Sequence, residues 1–230
     1  MAHIEKLSHP YLDLKRAIEA QVIRKVARDK WNVFRFGEDA PLSDMAIFPA
    51  ASEVTQSLAG KSIVTRRRRQ ISGKVLGGSW DKERRDLVGN TKLESCRMRW
   101  VDGADWEETP QFQSMARKIA EGEQPDDCRS LADLRSRYAR LDIIFAEARH
   151  RGRLLRMSEL PDYRYRREHG ATLIHVGHDG ACLRHGGGAH RFAIAKILDL
   201  PEIPAQLGAI HPQAIRDGHL ARLRVSRFDS

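Results

Sequence analysis

Apolar positions along this chain change their period several times, and each change predicts an element. After Pro10, Leu14, Ile18, Val22 and Val26 recur at helical spacing, which predicts a surface helix over residues 10–30 with a basic outer face. Ala17, Glu19, Ala20 and Gln21 favour it by propensity. The period then drops to two in Trp31-Asn32-Val33-Phe34-Arg35-Phe36, predicting a short strand ended by Gly37. Residues 37–50, with Pro41, Asp44 and Pro49, read as connection, and Ile47-Phe48 as an edge contact.

Two helices are announced by their caps. Thr109 followed by Pro110 predicts a helix over 110–121 that ends near Gly122. Ser130 with Asp133 at the third helical position opens a second, over 130–151. Leu134, Tyr138, Leu141, Ile144, Phe145 and Ala148 form its apolar face, and Gly152 ends it. The acid-rich stretch 121–127 is the linker between them.

In the last third, Leu173–Val176 reads as a strand, His178-Asp179-Gly180 as a hairpin turn and Ala181–Leu183 as the returning strand. Three glycines, Gly186–Gly188, precede a helix over 189–198 packed through Phe192, Ala193, Ala195, Ile197 and Leu198. Residues 201–210 lead to a further strand closed by His211-Pro212. The whole reads as a single domain, 1–230, with a helical extension at 1–30, a helical insertion at 100–152 and a compact core at 171–212.

Charge and composition add a partner class. The net charge is +9, from 40 Lys and Arg against 31 Asp and Glu. Such a balance favours anionic partners: nucleotides, phosphorylated metabolites, nucleic acid or anionic surfaces. The excess of Arg over Lys suits bidentate contacts to phosphate, and equally a compositional bias. Cys96, Cys128 and Cys182 form no CxxC pair and no zinc pattern, so reduced thiols and a cytoplasmic location are expected. The N-terminus has no signal-like segment, and no apolar run approaches the roughly 20 residues that span a bilayer. No membrane partner is expected.

The chemistry concentrates around the glycines. Gly186, Gly187 and Gly188 let an anion approach backbone amides. The helix behind them adds its free N–H groups and positive end. Arg191 offers a bidentate contact, and His190 a hydrogen bond or a proton near neutral pH. The competing reading is a plain loop into a helix, with His190-Arg191 facing solvent. Gly77-Gly78-Ser79-Trp80-Asp81 is the second candidate, and two readings fit it. In one, a base or sugar stacks on Trp80 while Asp81 takes a hydroxyl or Mg2+. In the other, Trp80 is buried and Asp81 caps a helix. Arg66-Arg67-Arg68-Arg69 is a candidate nucleic-acid contact or a solvated turn. Asp102, Asp105, Glu107 and Glu108 are candidate acids. Cys182, on an alternating strand, reads as buried rather than reactive.

His178-Asp179-Gly180, Gly187-Gly188-Ala189-His190-Arg191-Phe192-Ala193-Ile194-Ala195 and Ile203-Pro204-Ala205 together resemble the ParB/sulfiredoxin-like superfamily, most closely its small ParB-like nuclease domain members. The resemblance covers residues 171–212. It implies an α/β (α+β) fold, a small mixed sheet with flanking helices, and a nucleotide phosphate at the His190-Arg191 helix start. Members include partition proteins that bind CTP and DNA, sulfiredoxins that use ATP, and a free-serine kinase. This chain has Ala189 where sulfiredoxins carry their catalytic cysteine, which argues against sulfinic-acid repair. Too few residues follow the core for the helix-turn-helix domain of a partition protein.

The expectation is therefore a nucleotide-binding protein, with ATP or CTP and Mg2+ as cofactors. It extends to a phosphotransferase or NTPase with His190 and Asp81 catalytic, Asp81 as metal ligand, and Trp80 with Gly186–Gly188, His190 and Arg191 as the nucleotide site. The alternative is a nucleic-acid-binding regulatory module without catalysis, contacted through Arg66–Arg69 and the N-terminal helix.

Overall fold

The computed structural model describes residues 14, 18, 22–59, 68–87, 90–161, 163 and 165–229. In chain order its main elements are α1 (Val22–Phe36), β1 (Ala46–Ile47), β2 (Gln56–Leu58), β3 (Arg84–Asp86), α2 (Thr91–Trp100), α3 (Pro110–Ala120), α4 (Leu131–Arg151), β4 (Thr172–Val176), β5 (Cys182–Arg184), α5 (Ala189–Ile197), β6 (Ala205–Ile210), α6 (Pro212–Arg216) and α7 (His219–Leu223). The strands form one mixed sheet in the order β1-β6-β4-β5-β2-β3. The expected α/β class, a small sheet flanked by helices, is what the chain adopts. Among the described residues no helix is long and apolar enough to cross a membrane.

β4 and β6 run parallel at the centre and are buried along their whole length. The main core joins the sheet to α5, the end of α4 and the C-terminal helices, through Ile174, Val176, Phe192, Ile194, Leu207, Ile215 and Leu220. A second core lies among α2, α3, α4 and α5, around Cys96, Trp106, Phe112, Leu134 and Tyr138. Leu58, Ile71, Leu183 and Ala209 form a third, small core, with Trp80 packed against it.

The capped helices follow their sequence signals. Thr109 accepts the Phe112 N–H at the start of α3. Ser130 and Asp133 form the capping box of α4, and Gly152 ends it in the left-handed conformation. The β4–β5 hairpin and α5 also stand where the pattern put them. No expectation covered α2, where Asn90 caps the first turn by accepting the Lys92 and Leu93 N–H groups.

The N-terminal expectation needs correction in two ways. Residues 31–36 are the last turns of α1, not a strand. The helix also faces the other way: its buried positions are the polar ones, Lys25, Asp29 and Asn32, and its outer face carries the apolar residues together with the cations Arg24, Lys30 and Arg35. The buried face finds partners for every group it hides. The Lys25 ammonium donates to both Asp44 oxygens at 2.7 and 2.8 Å. Asn32 donates to the Pro41 and Gly73 carbonyls. Asp29 accepts the Ser43 N–H and pairs with Arg166 and Arg167. Helical spacing of these three polar residues outweighs the alternation of Trp31, Val33 and Arg35. The rest of the predicted helix, residues 10–13, 15–17 and 19–21, lies outside the described residues.

The central ladder carries one irregularity. Ile174 pairs with Leu207 and Val176 with Ile210, so Gly208 and Ala209 of β6 oppose His175 alone. The Ala209 N–H has no strand partner and donates instead to His175 Nδ1 at 2.7 Å. The imidazole lies so close to Gly208 that a Cβ there would stand 2.2 Å from Nδ1. Gly208→Ala is therefore expected to cost about 3 kcal/mol of folding stability through overpacking. Urea unfolding checks this, and a loss below about 1 kcal/mol would show that the bulge can shift freely.

Candidate functional site

The glycine loop joins β5 to α5. Gly186, Gly187 and Gly188 have φ of 60, 64 and 54°, a left-handed run that other residues resist. Gly186 and Gly187 are exposed. Gly188 packs on the start of β4, where a Cβ would lie 2.5 Å from Thr172 Oγ1. Gly188 is also the N-cap of α5, and no side chain caps that helix. The first-turn N–H groups of α5 thus have no side-chain acceptor.

Arg184, two residues before the loop, was not singled out by the sequence. Its side chain is only 8% exposed and stands on the α5 side of β5, with its guanidinium carbon 5.0 Å from the centre of the Phe192 ring. Its Nε is enclosed without a partner. Burial alone lowers its pKa, and no carboxylate counters that effect. A signal was present: one cation closes the apolar stretch Ala181-Cys182-Leu183 immediately before the glycines.

His190 and Arg191 leave the helix start in different directions. His190 turns to the second core, with Nδ1 3.7 Å from Cys96 Sγ and its ring edge-on to Tyr138. Burial pushes its pKa down to about 4, helped by Arg137 and Lys92. Arg191 donates to the Leu155 carbonyl and fastens α5 to the chain after α4. Neither cysteine of this region is a ready nucleophile, since burial pushes Cys96 and Cys182 up to about 12.

Asp81 stands elsewhere. It is fully buried, and its Oδ2 accepts from the His178 backbone N–H at 2.6 Å and lies 2.7 Å from His178 Nδ1. Burial raises its pKa, but the two contacts with His178 outweigh this and hold it below the usual carboxylate range. Arg84 lies 3.6 Å from Asp81 and pairs in bidentate fashion with Asp179 at 2.8 and 3.0 Å. That pairing pushes Asp179 down to about 2. Ligand atoms of Asp81, His178 and Asp179 lie within 4.8 Å of one another, a span that a metal ion requires. The Arg84 guanidinium already supplies the positive charge these carboxylates face. The cluster ties the 77–84 turn to the β4–β5 turn. Trp80 donates its Nε1–H to the Leu76 carbonyl and sets its ring edge-on to His175, a packing position.

The structure does not bring Asp81 and the glycine loop together. Gly188 touches Thr172 at the start of β4, whereas Asp81 holds His178 beyond its end. Six residues of extended chain separate these points, roughly 20 Å at about 3.3 Å per residue. A magnesium ion on Asp81 is therefore not placed against phosphates at the loop. Three of the four candidate acids are engaged locally: Asp105 and Glu108 form a capping box, and Glu107 pairs with Arg135, while Asp102 is exposed in the turn after α2. Arg66 and Arg67 lie outside the described residues, and Arg68 and Arg69 open a 3-10 turn ending at Ile71.

The chain matches no protein-family model, no curated protein and no solved structure.

Two buried histidines make stability depend on pH. Burial, with His185 nearby, pushes His175 down to about 3, and His190 stands at about 4, both from an ordinary value of 6.5. The unfolded chain thus binds protons at these residues before the folded one does. Stability is full above about pH 6.5 and falls below it, by about 1.4 kcal/mol per pH unit for each histidine, until the folded groups titrate. Urea unfolding at pH 7.5 and pH 5.0 is expected to differ by about 4 kcal/mol, with a smaller difference in His190→Phe. Equal stability at the two pH values would show that neither ring is held neutral.

Proposed function

We propose that this chain binds the phosphate of a nucleotide at the Gly186–Gly188 loop, between the uncapped start of α5 and the buried guanidinium of Arg184. The observation that carries this reading is Arg184 itself, a buried cation with no counter-charge among the described residues. An unpaired buried charge costs several kcal/mol, and an anion seated beside it removes that cost. The open end of α5 favours negative charge at the same place. The left-handed glycines leave the backbone accessible to a bulky anion.

The resemblance of residues 171–212 to the ParB/sulfiredoxin-like superfamily points the same way and makes ATP and CTP the first ligands to test. The reading is of a binding site. His190 and Asp81, expected as catalytic groups, are held by Cys96 and Tyr138 in one case and by His178 in the other. Phosphoryl transfer at the loop would need its acceptor and any Mg2+ to be held by other groups. The alternative, a nucleic-acid-binding module contacted through Arg66–Arg69 and the N-terminal helix, draws support only from the exposed Arg24, Lys30 and Arg35 of α1.

Isothermal calorimetry and thermal unfolding with ATP, CTP, pyrophosphate and phosphate, each with and without Mg2+, test the proposal. A ligand at 100 times its dissociation constant is expected to stabilise the fold by about 2.7 kcal/mol. Arg184→Met is expected to weaken binding at least tenfold, about 1.4 kcal/mol. The same variant without ligand should be as stable as the parent or more so, by roughly 1–3 kcal/mol, because it removes an uncompensated charge. Undiminished affinity in Arg184→Met, or no response to any of the four ligands at millimolar concentration, would sink the reading.

A further inference from the structure

We infer that α1 is a self-association surface through which two copies of this chain pair about a two-fold axis, their α1 helices antiparallel. Ile23, Val26, Ala27, Trp31 and Phe34 follow one another at the i, i+3, i+4, i+8 and i+11 positions, the stripe of an apolar helix face interrupted at i+7 by Lys30. That stripe points away from the body. Ile23 is 87% exposed, Phe34 81% and Trp31 58%, with Val22 and Val33 half exposed beside them. Trp31 and Phe34 stack on each other with ring centres 5.7 Å apart. The face cannot roll inward, because Lys25, Asp29 and Asn32 on the opposite side hold the helix to the 41–44 and 72–73 segments and to the 166–169 turn.

The area fits a dimer. Covering an aromatic side chain buries on the order of 150 Å² or more. Trp31 and Phe34 with Val22, Ile23, Val26 and Val33 thus offer on the order of 600 Å² per copy, most of the roughly 800 Å² each side of a standard interface buries. It is at the upper limit of what a monomer leaves exposed in one patch. Bulk along the stripe is arranged to meet itself. Ala27 is its small residue, and the large ones stand on either side of it. An antiparallel crossing between Ala27 and Lys30 sets Ile23 against the partner's Phe34, Val26 against the partner's Trp31, and the small Ala27 against the stem of the partner's Lys30. Isologous contacts of this kind are the commonest way two identical chains associate.

Charge makes the inference discriminating. The exposed charges of α1 are Arg24, Lys30 and Arg35, all cationic, since its only acid, Asp29, is buried. Glu38 and Asp39 follow beyond its end. Arg24 and Arg35 lie at the edges of the stripe, but Lys30 lies within it, so pairing two such helices brings the two Lys30 ammonium groups close to the two-fold axis, and salt is expected to strengthen the dimer by screening them. An anionic membrane or an acidic partner would show the opposite dependence.

Sedimentation velocity on the full chain at about 5–100 μM, in low and high salt, tests this. A dimer that tightens with salt is expected. Ile23→Glu with Phe34→Glu should raise the dissociation constant at least 100-fold while leaving the melting temperature of the dilute protein within a few degrees of the parent. Under oxidising conditions Ala27→Cys should form a disulfide-linked dimer and Phe34→Cys should not, because the antiparallel crossing sets the two copies of residue 34 far apart. The three native cysteines are buried and do not compete. A monomer at 100 μM overturns the inference. So does a dimer that survives the double substitution, one that weakens with salt, cross-linking at 34 instead of 27, or binding to phosphatidylglycerol vesicles in place of self-association.

Discussion

One imidazole nitrogen sets the register of the sheet. Where β6 bulges, the Ala209 N–H has no strand partner, and an orphaned amide in a fully buried strand costs about 1–3 kcal/mol. His175 Nδ1 takes that hydrogen bond. The bond requires the ring to stay neutral, since a protonated Nδ1 can no longer accept. Around this point the chain is fastened on the other side. The Gly73 N–H donates to the Gly208 carbonyl, the Ser72 hydroxyl donates to the Leu207 carbonyl, and Leu76 and Lys74 bracket Ile210. Register at the bulge fixes where β4 begins, and the start of β4 is what the glycine loop packs against.

The chain buries charge in two ways, and the contrast explains why Arg184 matters. Asp44 is fully buried, yet it faces Lys25, His169 and Gln206. Burial pushes its pKa up, and the bonds from His169 and Lys25 outweigh this and hold it below the usual range. Every charge in that network has an opposite charge or a donor beside it. Arg184 bears the same desolvation with nothing to offset it. Its contact with the Phe192 ring supplies roughly 1–2 kcal/mol at most, less than an unpaired buried cation requires. This contrast with the Asp44 network is what the proposed anion site at Arg184 rests on.

Much of this was legible in the sequence, and the failures have physical causes. α3 and α4 were readable because their ends are set by local chemistry: Thr109 before Pro110, Ser130 with Asp133, and Gly152. The hairpin and α5 were readable because Asp179-Gly180 and three glycines punctuate them. α1 was misread because amphipathicity gives the stripe but not its direction. Hydrophobicity predicts that the apolar face turns inward, and only the partners of Lys25, Asp29 and Asn32, distant in sequence, reverse that. Arg184 has one sequence signal, a cation closing an apolar strand before the glycines, but its burial and lack of a counter-charge are set by residues distant in sequence. The pairing of Asp81 with the glycine loop failed for a topological reason. The 77–81 turn packs beside the far end of β4, and spacing along the chain does not encode which end.

The seat of α1 and the base of the glycine loop rest on the same short run of backbone. Asp44 accepts from Gln206, whose side-chain oxygen takes the Gly170 N–H, and it lies against His169. Two residues on, Thr172 donates its hydroxyl to the Gly188 carbonyl and leaves Gly188 no room for a Cβ. A carboxylate that holds the helix by its polar face therefore also fixes residues 169–172, and these fix the last glycine before α5. The inverted helix is thus a consequence of the site's foundation. Anchoring the start of β4 with buried charge takes the polar side of α1 inward, and the apolar side is left facing out.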